Sequence, residues 1–304
     1  MSETVIEVRD LVKTYDQVNV VDHVDLDVRA GDVFSLLGPN GAGKTTTVEI
    51  LECIRDASAG SISILGLDIS RKKDIKNAIG VMPQSFNSFE RLTVRESILY
   101  FAGMFKCKVD ADELIASVRL EEKRDVQFGK LSGGLKQRVG IAISLVNDPD
   151  IVFLDEPSTG LDPSARRDVW EVIRQLKKKG KTVFLTTHYM EEAELLSDEV
   201  NIMNRGKVIC SGSPQQVVSQ HGASSTALVR GGGECALNCM QSRFPGVILE
   251  GDDVRVTLDN GKNLVEIIRM LDDSQVRYEE ITVKRPSLED VFIKLTGESY
   301  GGGE

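Results

Sequence analysis

VFSLLGPNGAGKTT, residues 33–46, runs from an apolar strand through a glycine-rich loop into a helix. Its core, GPNGAGKTT (38–46), satisfies GxxxxGK[ST] in the strand-loop-helix setting that gives this pattern structural meaning. Gly38, Gly41 and Gly43 let the backbone curl so that successive amides point inward at a polyphosphate. Lys44 supplies a mobile positive charge for the β and γ phosphates, Thr45 a hydroxyl for Mg²⁺, and the helix starting here its positive end. The bland alternative is a glycine turn with a solvated lysine, which the strand before and the helix after argue against.

Working outward, the Mg²⁺ needs a carboxylate at a strand end. IVFLD (151–155) is a near-continuous apolar run ending in acid, as expected of a central strand covered on both faces. Asp155 would stand at the carboxyl edge of the sheet, where open α/β sheets bind ligands, as a direct or indirect Mg²⁺ contact. Glu156, one residue on, is displaced enough to polarise a water, which makes it the candidate base. Gln84, after AIGVM and Pro83, and His188, ending KTVFLTTH (181–188), reach the same edge from neighbouring strands, although each alone reads as an ordinary polar turn residue. KLSGGLKQR (130–138) is a second helix start with bare amides, at Ser132, Gly133 and Gly134, and Leu135, Val139, Ala142, Ile143 and Val146 continue it at helical spacing.

The rest of the chain supports an α/β reading. VIEVRDLVKTY and VDHVDLDV are strands, a helix covers 45–55, and ISILG and AIGVM are short strands around the charged run RKKDIK. A helical insert spans about 85–130, with Thr93 as cap and Glu96 as its capping-box partner. A helix from Pro163 to Lys179 carries Val169, Ile173 and Leu176 on one side, and VNIMNRGKVICSGSP is an edge hairpin. Residues 1–220 thus form one α/β P-loop unit, and 225–297 read as β-α-β-β-α-β, a small α+β domain of ferredoxin-like type with SLEDVFIKL added. The tail 298–304 is expected to be disordered.

Composition narrows the function. With 37 basic and 47 acidic residues in 304, the net charge of −10 disfavours a general nucleic-acid binder. The five cysteines, 53, 107, 210, 235 and 239, form no CxxC or Cys/His cluster, so neither a disulfide framework nor a zinc site is favoured. Cys235 and Cys239, four apart on a helix, fit buried small residues better than a two-ligand metal site. No basic leader precedes an apolar run, and no segment reaches the ~18 uninterrupted apolar residues of a membrane span.

In this order the pieces resemble the nucleotide-binding subunit of an ATP-binding cassette (ABC) transporter, KLSGGLKQR matching the signature that separates that family from other P-loop ATPases. The resemblance implies that Gly38, Pro39, Asn40, Gly41, Ala42, Gly43, Lys44, Thr45 and Thr46 are the Walker A loop on ATP. It makes Gln84 the Q-loop residue and a further Mg²⁺ ligand, IVFLDE the Walker B strand with Glu156 catalytic, STGLD the D-loop region and His188 the switch histidine. Tyr15 matches the aromatic residue that stacks on adenine. Leu135 departs from the glutamine often found at the fifth signature position; it lies on the inward-packing side of the helix, so tuning rather than function is expected to change. TTHYMEEAE and RPSLEDVFIKLTG are similar to the drug-resistance and ABC-2 type export branch, whose permease is a separate chain.

The same resemblance implies a head-to-tail homodimer in which Ser132, Gly133 and Gly134 of one chain close over ATP on the Walker A loop of the other, Gly134 facing Asn40. It implies a cytoplasmic subunit, peripheral on the inner face of the membrane through the permease, which the insert would contact. Ile98, Phe101 and Phe105 fit either that contact or the insert's own core. A soluble ATPase acting on DNA or ribosomes would usually carry a long coiled coil or two cassettes, and a non-hydrolysing sensor would have no need of Glu156 and His188 together.

Overall fold

The computed structural model describes residues 3–105, 108–222, 224–244, 246–258 and 261–297. Cys107 and the tail 298–304 lie outside the described residues. The described chain divides into two compact units, one comprising residues up to Val217 and again from Phe292, the other Val218–Val291.

The first unit opens on two long antiparallel strands, β1 (Thr4–Tyr15) and β2 (Val18–Arg29), followed by β3 (Val33–Leu37). The phosphate loop leads into α1 (Lys44–Leu51), shorter than the sequence predicts because Cys53 takes a left-handed φ of 59°. Next come β4 (Ala59–Ile64) and β5 (Leu67–Asp68). The charged run RKKDIK becomes a short helix, α2 (Lys72–Ala78), pinned by buried Ile75, and β6 (Ile79–Met82) follows. In α3 (Val94–Phe105) the predicted capping box forms: Thr93 N donates to Glu96 Oε2 at 2.8 Å and Glu96 N to Thr93 Oγ1 at 3.2 Å. The insert continues with α4 (Ala111–Ser117), and α5 (Gly133–Ser144) leads to β7 (Ile151–Asp155). Asp162 caps α6 (Pro163–Lys178) by accepting from Ser164 N and Ala165 N, with Pro163 in the first turn where its missing N–H costs nothing. The unit then runs through β8 (Thr182–Thr186), α7 (Met190–Leu196), β9 (Glu199–Asn204), β10 (Lys207–Gly212) and the start of α8 (Pro214–His221).

Among the described residues these strands make an antiparallel sheet ordered β2-β1-β4-β5 and a sheet ordered β10-β9-β3-β8-β7-β6, parallel except at the β10 edge. Period-two alternation divides the side chains of the parallel strands between two cores. Ile151 and Phe153 join Phe34, Leu36 and Phe184 on the side of the antiparallel sheet, whereas Val152 and Leu154 join Val183 and Leu185 under the helices. Phe184 meets Phe34 and Phe153 at centroid distances of 5.0 and 5.2 Å, and each fully buried ring contributes about 2–3 kcal/mol. This double burial fixes the level of the strand ends, and hence of the acids beyond them.

The second unit contains β11 (Ser225–Arg230), α9 (Gly233–Gln241), β12 (Ile248–Glu250), β13 (Asp253–Leu258), α10 (Gly261–Asp273) and β14 (Glu280–Lys284), and α11 (Leu288–Thr296) begins in it. Its sheet is ordered β12-β13-β11-β14 with every adjacent pair antiparallel, the topology of a ferredoxin-like β-α-β-β-α-β unit. Ala227, Val229, Val254, Val256 and Leu258 face inward at alternate positions and pack against Ala236 and Met240 of α9 and Ile267 and Leu271 of α10. One expectation is corrected: Cys235 is exposed, because the inward stripe of α9 passes through Ala236 and Met240, while Cys239 is half-buried and donates to the Ala236 carbonyl.

Candidate nucleotide site

The phosphate loop is shaped by close backbone approach. Gly43, at φ 101°, caps α1, and a Cβ there would lie 2.6 Å from the Val20 carbonyl oxygen. A neighbouring strand therefore requires glycine at this position. Thr47 Oγ1 donates to the Gly43 carbonyl at 2.9 Å, and Gly206 N donates to the Ala42 carbonyl at 3.0 Å. Gly38, Pro39, Ala42 and Gly43 are buried, Asn40, Gly41 and Thr45 are exposed, and Thr46 is half-buried. The Lys44 ammonium is buried and donates to the carbonyls of Gly38 at 2.6 Å and Pro39 at 2.9 Å. Burial lowers its pKa, against the opposing fields of Glu156 and Asp155.

The two acids after β7 are held differently. Asp155 accepts from Thr186 Oγ1 and from the Gln84 backbone, and burial pushes its carboxyl up. Glu156 takes a left-handed φ of 48°, a conformation that costs a non-glycine residue about 1–3 kcal/mol and is held by its surroundings. Its N–H reaches both the carbonyl and the hydroxyl oxygen of Thr186, each at 3.1 Å. The turn swings the Glu156 carboxylate into a set of donors: Oε2 accepts from Gln84 Nε2 at 2.8 Å, from Thr159 Oγ1 at 2.9 Å and from His188 Nδ1 at 3.3 Å. The His188 hydrogen bond is the largest of the influences holding this carboxyl below the usual glutamate range.

The fold therefore brings Gln84, Asp155, Glu156 and His188 together at the carboxyl edge of β6, β7 and β8, with Lys44 in their field. Thr186 and Thr159 complete the cluster and are not singled out by sequence reasoning; their signal was position, Thr186 in the strand before His188 and Thr159 in the turn after Glu156. The ring of Tyr189 stacks between His188, at 4.2 Å between centroids, and the Arg166 guanidinium, 3.8 Å from the ring centroid. Below them Glu192, fully buried, accepts from Ser158 and from Trp170 Nε1 at 2.7 Å.

Tyr15, at the β1–β2 turn, is 37 % exposed, its hydroxyl accepts from Arg55 at 3.1 Å, and Lys13 Nζ lies 5.1 Å from its ring centroid. It pairs with Val18, two residues before the Val20 carbonyl that abuts Gly43. Ser132 and Gly133 are exposed at the start of α5, and the Ser132 side chain makes no cap bond to the helix. Gly134 is different: it is buried, and a Cβ there would lie 2.7 Å from Ala165 Cβ of α6. Its lack of a side chain lets α5 and α6 approach closely at the first turn of α5. Leu135 is half-buried against the core beneath the helices, as its place on α5 predicts.

Fold and site together define an ATP-binding cassette of the P-loop class. A family model described as ABC transporter matches residues 21–159, and one described as the ATP-binding protein DrrA1-3-like, C-terminal domain, matches 212–296. The Nod factor export ATP-binding protein I of Burkholderia pseudomallei (strain 1710b) is 39% identical over 305 residues, covering 98% of this chain and 98% of that protein. The protein of the same name from Rhizobium sp. (strain N33) is 37% identical over 310 residues, with the same two coverages of 98%. Among solved structures, cbiO1 from Clostridium perfringens, part of the ABC transporter complex cbiONQ, superposes with a TM-score of 0.66 at 28% identity, covering 72% of this chain and 92% of that one. The dimeric post-hydrolysis state of the cassette MJ0796, bound to ADP and Pi, gives 0.61 at 25% identity, covering 68% of this chain and 98% of that one. The chain belongs to the ATP-binding subunits of ABC transporters, and it binds and hydrolyses ATP to drive transport. No described helix is long and apolar enough to cross a membrane.

Proposed function

We propose that the chain powers export: two copies close head to tail on ATP, hydrolysis reopens them, and a separate permease docked on the helical side converts the cycle into transport. The observation that carries the catalytic part is the meeting of Gln84, Thr159 and His188 on one oxygen of Glu156. Three donors from three segments keep that carboxylate ionised and aimed, with Oε1 left to take a proton from the attacking water. Lys44 and the loop N–H groups from Asn40 to Thr46 hold the phosphates, Tyr15 stacks on adenine, and Ser132, Gly133 and Gly134 close the site from the partner copy. Thr45 and Asp155, with Gln84, suit Mg²⁺ shared with the phosphates, since that ion takes one or two carboxylates beside the phosphate oxygens and keeps several waters. The ion would screen phosphate charge in the transition state.

The export direction is supported by the DrrA-like C-terminal match and by relatives named for Nod factor export. Docking is supported by a groove of about 590 Å³ lined by Phe86, Phe101 and Phe105 among others, which reaches Pro83 and Ser85 on either side of Gln84. The subunit is then peripheral, on the inner face of the cell membrane. With an integral-membrane partner co-expressed, the chain should sediment with membranes; Phe101→Asp should release it while the soluble protein keeps its ATPase activity. Equal sedimentation with and without the permease would contradict the reading.

A further inference from the structure

The groove holds one buried acid. Glu52 follows the end of α1, where the left-handed Cys53 turns the chain, and it lines the groove together with Ile54, Phe86, Phe101 and Ile143. The residue is only 6% exposed, and neither a hydrogen-bond donor nor a cation is among the influences on its carboxyl. Burial pushes that carboxyl up to about 8, helped by the negative fields of Asp155 and Glu49. Lys76 of α2 lines the same groove without pairing to Glu52. Such a carboxyl is costly to leave unpaired when ionised, and a cation arriving with the occupant of the groove removes the cost. The apolar walls suit the apolar side of an amphipathic segment, and the acid specifies a positive charge at one point along it.

We propose that Glu52 receives a lysine or arginine from the cytoplasmic segment of the permease, so that this ion pair sets which permease the cassette accepts. This rests on the permease-docking reading above, and the test separates the two. A photoreactive benzoylphenylalanine replacing Phe101 would be irradiated in the assembled transporter and the captured segment sequenced by mass spectrometry. The captured permease segment should carry a basic residue. Glu52→Gln, which keeps shape and removes charge, should raise the dissociation rate of cassette from permease at least tenfold while leaving the melting temperature and ATPase activity of the free cassette unchanged. Glu52→Lys should abolish assembly, and an acid in place of the captured basic residue should restore it. Capture of a permease segment with a wild-type dissociation rate for Glu52→Gln, or a charge swap that restores nothing, would overturn the pairing alone. Failure to capture any membrane protein at position 101 would overturn the docking reading and the pairing with it.

Discussion

Glu156→Gln is expected to lower steady-state ATP hydrolysis by roughly 10²–10⁴-fold while ATP still binds. The amide keeps the size of the carboxylate and can still accept from Thr159 and His188, so the left-handed turn and the phosphate loop stay in place. What disappears is the proton acceptor. The depressed pKa of Glu156 also gives a pH signature in the native protein: the base is charged above its folded pKa and fails only as pH falls below the ordinary glutamate range. Nucleotide titration beside phosphate release measures both halves of the expectation. Wild-type turnover in Glu156→Gln would remove the residue from catalysis.

Lys44→Ala should act on the other half, weakening ATP binding by about 10- to 100-fold, since a hydrogen bond to a charged group is worth about 1.5–3 kcal/mol. The ammonium donates to the Gly38 and Pro39 carbonyls, so it is already inside the loop and needs only to exchange partners when phosphate arrives. Its lowered pKa shows that burial disfavours the charge there, and a polyphosphate reverses that balance. Equilibrium binding of a fluorescent ATP analogue would report the loss, and an unchanged affinity would mean that the loop amides alone hold the nucleotide.

Much of this was legible in the sequence because it is local. The phosphate loop, the Thr93–Glu96 box and the doubly buried strand IVFLD each announce themselves within a few residues. The placement of Gln84 and His188 at one edge followed from strand ends, but their convergence on a single oxygen did not. It depends on the left-handed φ of Glu156, which Thr186 holds from thirty residues away in the chain. Gly134 carries a second constraint hidden for a related reason: only the approach of Ala165 from α6 reveals that this position also serves packing. RKKDIK gives no apolar periodicity, since Ile75 alone anchors that helix, and Glu52 looks like any surface acid until the walls around it are known.

Transport is driven through a composite site between two copies, and a cross-link across that site reports it directly. Ser132 is the position to use opposite Asn40, because both are exposed whereas a side chain at Gly134 would strike Ala165. In a background with all five native cysteines replaced and Glu156→Gln present to retain ATP, Asn40→Cys would be carried by a chain with one tag and Ser132→Cys by a longer chain with another. A disulfide needs Cα atoms within roughly 7 Å, so adjacent positions 41 and 133 are scanned alongside. A mixed dimer should form with ATP and not without it. No mixed dimer at any of the scanned positions, or a yield indifferent to ATP, would contradict the composite site.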